Sequence, residues 1–131
     1  AIVAEVGPEV LAGSTRMKAG SAQKMVLNLL STGAMARLGY VYGNLMINVH
    51  LKNRKLVQRG ISILESAAEV DEKRARGALR SAGNRVAVAL VMLRAGVNRR
   101  VAENCLDLTK GHVRKAVAAA IQKRTNGPGT K

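Results

Sequence analysis

Phenylalanine and tryptophan are absent from this 131-residue chain, and the two tyrosines, Tyr40 and Tyr42, stand close together. So few rings exclude an aromatic platform for stacking single-stranded bases. Carboxylates are scarce too: Glu5, Glu9, Glu65, Glu69, Asp71, Glu72, Glu103 and Asp107 face 22 lysines and arginines, for a net charge of +14. None of the eight is spaced to work with a histidine or a metal ligand, and His50 and His112 are isolated. No Ser-His-Asp order, Cys-His set or metal spacing can be read. Cys105 is the single cysteine, which excludes an internal disulfide. The pattern Val101, Cys105, Leu108 puts it on an apolar helix face, as a small buried hydrophobe. No run approaches the roughly 18 apolar residues of a membrane span, and the opening residues lack the charged-then-apolar order of a signal peptide. The expectation is a cytoplasmic protein without a membrane partner.

The excess of positive charge raises nucleic acid as a partner, because clustered cations supply the sequence-independent part of such binding. The cations are dispersed, however, recurring at 52, 54, 55 and 59, at 73, 74, 76, 80 and 85, and at 94, 99, 100, 110, 114 and 115. That is the pattern of polar faces on several short helices, and it argues against a nucleic-acid module.

Punctuation divides the chain into helices. Ile2 to Val6 reads as a short apolar strand ended by Gly7-Pro8. From about Lys18 to Leu38 the apolar positions recur at three- and four-residue steps, a long helix stopped at Gly39. Its Gly33-Ala34 pair costs stability unless another backbone packs closely there. Tyr40 to Val49 lacks helical spacing and reads as an extended or irregular connector. Asn53 or a neighbour opens the next helix, Asp71 caps another that stops at Gly83, and three short helices follow. These begin at Asn84, at Asn98 and just before Val113, and Gly96 and Gly111 separate them. Thr125 to Lys131 has nothing to bury and is expected to be a disordered tail. The fold class is therefore mainly α.

The densest chemistry lies in Gly7-Pro-Glu-Val-Leu-Ala-Gly-Ser-Thr-Arg-Met-Lys-Ala-Gly-Ser-Ala-Gln-Lys24, directly ahead of the long helix. Gly13 and Gly20 allow close backbone approach, Ser14, Thr15 and Ser21 offer hydroxyls, and the first N–H groups of a helix attract negative charge. Two readings remain open from chemistry alone. The turn takes a phosphorylated small molecule, or Ser14 or Thr15 merely caps the helix while Arg16 and Lys18 are solvated.

This run resembles the signature shared by bacterial N-acetylmuramic acid 6-phosphate etherases and animal glucokinase regulatory proteins. Met25 to Gly39 and Val41 to Val49 are similar to the etherases rather than the regulators, and after about Lys55 the likeness is only loosely helical. The three-helix end also resembles a ubiquitin-associated domain in its small-residue pattern. The etherase resemblance implies that the chain, which opens Ala-Ile-Val, is the C-terminal part of a longer protein. Residues 1–52 would be the closing strand, turn and helix of an α/β sugar-isomerase-type domain, 53–124 a helical C-terminal domain, and 125–131 a tail. It further implies a homodimer and a lyase without cofactor, which splits the lactyl ether of a phosphorylated amino sugar to give N-acetylglucosamine 6-phosphate and D-lactate. The family's catalytic glutamates lie upstream of the signature, so this chain would bind but not catalyse. Ser14, Thr15, Arg16 and Lys18 match the signature and are the expected substrate-binding residues: Arg16 suits a planar bidentate contact and Lys18 a point-charge one. Glu9 would orient the turn by accepting N–H bonds rather than touch the ligand. Two alternatives stand beside this reading: a non-catalytic sugar-phosphate-binding regulator, which the shared signature implies, and a basic nucleic-acid-binding module, which the net charge raises.

Overall fold

Residues 86–95 read Val-Ala-Val-Ala-Leu-Val-Met-Leu-Arg-Ala, with one charge in ten positions, and such a segment is stable as a helix only when surrounded. In the computed structural model, which describes residues 1–126, it is surrounded. The elements run α1 (Lys18–Arg37), β1 (Val41–Tyr42), β2 (Leu45–Met46), α2 (Arg54–Ala68), α3 (Glu72–Ser81), α4 (Val86–Ala95), α5 (Arg99–Leu108) and α6 (Val113–Asn126). Helix α4 packs against α2, α3, α5 and α6 and buries Val86, Val88, Ala89, Leu90, Val91 and Ala95. Burial of each larger side chain contributes about 1.5–3 kcal/mol, so this one segment organises the bundle.

The chain divides into two compact units, Ala1–Arg37 and Leu38–Lys131. In the second, polar side chains start the helices. Asn53 accepts from the Leu56 N–H at 2.9 Å, Asp71 from Arg74 at 2.8 Å and Asn98 from Val101 at 3.0 Å, the contacts expected of N-caps. Helix α4 differs. Its N-cap is Arg85, without a side-chain bond, because Asn84 stands at φ 60° directly after Gly83 at φ 64°. Both residues belong to the turn that closes α3, where the Asn84 N–H donates to the Leu79 carbonyl. The expectation that Asn84 starts the helix is corrected accordingly. At its far end α4 stops at Gly96 in the left-handed conformation, and the Arg124 guanidinium reaches from α6 to the Ala95 carbonyl at 3.0 Å. On α3, Arg76 pairs with Glu72 and holds its carboxyl below the usual carboxylate range, chiefly through their hydrogen bond.

Other expectations shift. The stretch Tyr40 to Val49 contains an antiparallel pair, Val41 opposite Met46 and Tyr42 opposite Leu45, around Gly43-Asn44 with Gly43 at φ 62°. Positive φ at the first central residue is the requirement of a type II′ hairpin turn. Ile47, at its exit, is buried in the bundle core. Cys105 is buried as expected, but Leu108, offered for the same face, is 71% exposed, and the buried stripe of α5 is Ala102, Cys105 and Leu106. Thr125 and Asn126 belong to α6 rather than to a tail. The rest of that expected tail, 127–131, lies outside the described residues.

The first unit is built differently. Residues 1–9 form no strand: a strand exists by pairing, and none of the backbone bonds that would pair Ile2 to Val6 occurs among the described residues. Helix α1 forms over almost the expected span but buries no residue. Met25, Leu27, Leu29 and Leu30 are each more than half exposed, as are Ile2 and Val3.

Two glycines test these environments. Gly39 sits at φ 80°, and a Cβ there would lie 2.6 Å from the His112 ring and 2.7 Å from the His112 Cα. Gly33 has nothing within 4 Å. Gly39→Ala is expected to destabilise the helical unit by about 3 kcal/mol in denaturant unfolding, through backbone strain and overlap together. In this chain Gly33→Ala is expected to do the reverse, raising α1 helicity by up to about 1 kcal/mol, measured by circular dichroism.

Candidate functional site

A helix begins with N–H groups that have no intrahelical acceptor, and what satisfies them decides what else can bind there. At the start of α1 the acceptor is Glu9. Its two oxygens take the Lys18 and Ala19 N–H groups, each at 3.0 Å, across nine and ten residues of sequence. The carboxylate thereby meets the positive end of the helix dipole. Neither Ser14 nor Thr15 is the cap of α1. The segment between folds back on itself: the Ser14 N–H donates to Leu11, the Thr15 N–H to Gly13, and the Gly20 N–H to the Thr15 carbonyl. Gly7 and Gly13, at φ 67° and 82°, supply the left-handed residues that this path needs.

This geometry alters the anion-binding argument. The Lys18 and Ala19 N–H groups hold a carboxylate of the chain itself, and its charge opposes a second anion at the same spot. What the turn offers an external anion is side chains. Ser14 is half-buried, while Thr15, Arg16 and Lys18 are exposed. The Lys18 ammonium donates to the Pro8 carbonyl at 3.0 Å, which draws it back over the turn. The Arg16 guanidinium makes no ion pair or hydrogen bond among the described residues. Lys18 and Glu9 thus come together in one closed loop, with Arg16 in solvent.

The expectation that Glu9 orients the turn by accepting N–H bonds is met; which N–H groups it takes was not readable, for the residue lies nine positions before the helix and outside any capping-box spacing. The available signal was negative: α1 has no acidic residue in its first turn. Among the described residues no three of His, Cys, Asp and Glu gather as metal ligands, and no helix is long and apolar enough to cross a membrane.

Comparison with known proteins extends over most of the chain. It is 47% identical over 118 residues to the N-acetylmuramic acid 6-phosphate etherase of Klebsiella aerogenes, covering 90% of this chain and 39% of that protein. The enzyme of the same name from Burkholderia lata is 52% identical over 118 residues, 90% of this chain and 39% of its own length. That of Clostridium acetobutylicum is 47% identical over 112 residues, or 86% and 37%. The chain thus spans about two fifths of the length of these relatives. The likeness runs well beyond Lys55, where the residue pattern alone had thinned to a loose helical resemblance. No family model matches the chain.

Replacing Glu9 isolates its contribution. Glu9→Gln keeps the shape but removes the charge, and Glu9→Ala removes both acceptors. The alanine variant is expected to cost about 1 kcal/mol at the start of α1, seen as faster amide exchange at Lys18 and Ala19, with the glutamine variant between.

Proposed function

We propose that the chain is the C-terminal part of a member of the N-acetylmuramic acid 6-phosphate etherase family. The reaction is carbon-oxygen cleavage of the lactyl ether in a phosphorylated amino sugar, releasing D-lactate and N-acetylglucosamine 6-phosphate. The observation that carries this reading is the identity near one residue in two across almost the whole chain.

Residues 1–52 are taken as the closing piece of a sugar-phosphate-binding domain of the sugar-isomerase type, and residues 53–124 as a helical C-terminal domain. The exposure of Met25, Leu27, Leu29 and Leu30 on α1 supports the first part of this reading, because a helix with so much uncovered apolar surface is stable only within a larger domain. Gly33 supports it too, since its open space is where a neighbouring backbone would fit. The full-length protein is read as a cytoplasmic homodimer.

Within the site, Ser14 and Thr15 donate hydroxyl hydrogen bonds, Arg16 supplies a planar fork for phosphate or carboxylate, and Lys18 adds a point charge. Glu9 holds the turn on the helix, which limits the conformers that these side chains must search to reach a common ligand. Removing the lactyl group requires an acid/base group beside the acidic proton. No residue of this chain is assigned that task; it falls to glutamates upstream in the family, so the turn binds and the missing part reacts.

The test uses the full-length enzyme. Arg16→Ala is expected to raise KM for N-acetylmuramic acid 6-phosphate about tenfold or more, the loss of one charge-assisted contact. Unchanged KM and turnover would remove Arg16 from the site. Gly33→Ala serves as a second arm: it should destabilise the full-length protein although it favours the helix here.

A further inference from the structure

Residues 1–10 have almost nothing to hold their backbone. They belong to no helix or strand, and among the described residues the Pro8 carbonyl is the one main-chain group of this stretch with a hydrogen-bond partner. That partner is the Lys18 ammonium, at 3.0 Å. Glu9 meets the helix start as well, but through its side chain, whose two oxygens take the Lys18 and Ala19 N–H groups at 3.0 Å each. Those bonds fix a carboxylate at the end of a flexible stem, so the backbone behind it can still shift. Lys18 grips that backbone directly. Gly7, at φ 67°, and the fixed φ of Pro8 set the direction in which the carbonyl is presented.

Residues 8 and 9 are thereby fastened to residues 18 and 19 through backbone and side chain together, and residues 10–17 form a loop closed at its base. The Arg16 guanidinium has no partner within that loop, so its place depends on how firmly the base is shut. On the reading that this turn binds a sugar phosphate, we propose that Lys18 is a positioning residue. Its ammonium stays on the Pro8 carbonyl while the ligand is bound, shuts the base of the loop and so places Ser14, Thr15 and Arg16. The carbonyl is uncharged, so the charge of Lys18 still acts on the ligand, as a field rather than as a contact. A lysine that bound phosphate directly would have to leave the carbonyl, and the main chain of residues 1–10 would lose its one tie.

The first arm of the test needs no ligand and uses the 131-residue chain. Lys18→Met keeps the stem and removes the ammonium, and it should speed amide exchange at Ala19 and Gly20 about threefold. Lys18→Arg, which can also donate to a carbonyl, should recover most of that difference. In a Glu9→Ala background the methionine change should add little, because the base is already open. The second arm uses the full-length protein. There Lys18→Met should raise KM for N-acetylmuramic acid 6-phosphate about threefold, more than it lowers kcat, with Lys18→Arg again recovering it. Unchanged exchange in Lys18→Met overturns the proposal, and a raised KM beside it would make Lys18 a direct ligand. Faster exchange with unchanged KM overturns it as well when Arg16→Ala still raises KM. If neither variant moves KM, the reading of the site falls and the proposal with it.

Discussion

The enclosure of α4 is the constraint on which the second unit depends. A ten-residue helix with one charge can satisfy its backbone alone but not its side chains, and it needs partners on all sides. Four amphipathic helices supply them, each with one apolar stripe. Of these partners α3 and α5 match α4 at ten residues each, while α2 and α6 run on beyond it. The ends of α4 are held in different ways. Its start relies on the turn Gly83-Asn84 and on packing rather than on a side-chain cap. Its end has both a left-handed glycine and a guanidinium from α6. That second contact ties the last turns of α6 to the central helix, at the point where the composition of α6 turns polar.

How much of this was legible depended on how local the cause was. Asn53, Asp71 and Asn98 were readable as caps because a cap is decided within four residues. Asn84 misled for the same reason: the residue type fits a cap, but its conformation is fixed by the preceding glycine, and a turn and a cap compete for the same side chain. The hairpin at Gly43-Asn44 was within reach, since glycine followed by asparagine between apolar residues is a known two-residue turn signal. The strand Ile2 to Val6 failed because strand identity is pairwise. Leu108 failed because a ten-residue helix leaves little room to fix the phase of its apolar stripe.

The site divides along the same line. Its hydroxyls and cations were visible as residue types in a glycine-rich turn, and the sequence ordered them correctly ahead of a helix. Glu9 was legible as an acceptor of N–H bonds, but the groups it would satisfy at the helix start were not. The contact joins Glu9 to Lys18 and Ala19 through a loop whose closure depends on two positive-φ glycines. A groove in the second unit was less legible still, since Tyr40 and Asp107 are far apart in sequence and come to line it only in the folded bundle.

The scarcity of carboxylates bears on the turn in a final way. Residues 1–37 hold Arg16, Lys18, Lys24 and Arg37 against Glu5 and Glu9 alone, and residues 38–131 carry +12 of the chain's +14. Glu9 is already engaged by backbone N–H groups, so it neutralises the helix dipole rather than a side chain. Lys18 is partly satisfied by the Pro8 carbonyl, an uncharged acceptor that leaves its full charge in place. Arg16 has no internal partner among the described residues. A turn that used its one nearby carboxylate as a salt-bridge partner would be electrically closed. Here the carboxylate builds the turn and the cations stay unneutralised, so the same residue that occupies the helix start keeps Arg16 and Lys18 available for a negative charge arriving from outside.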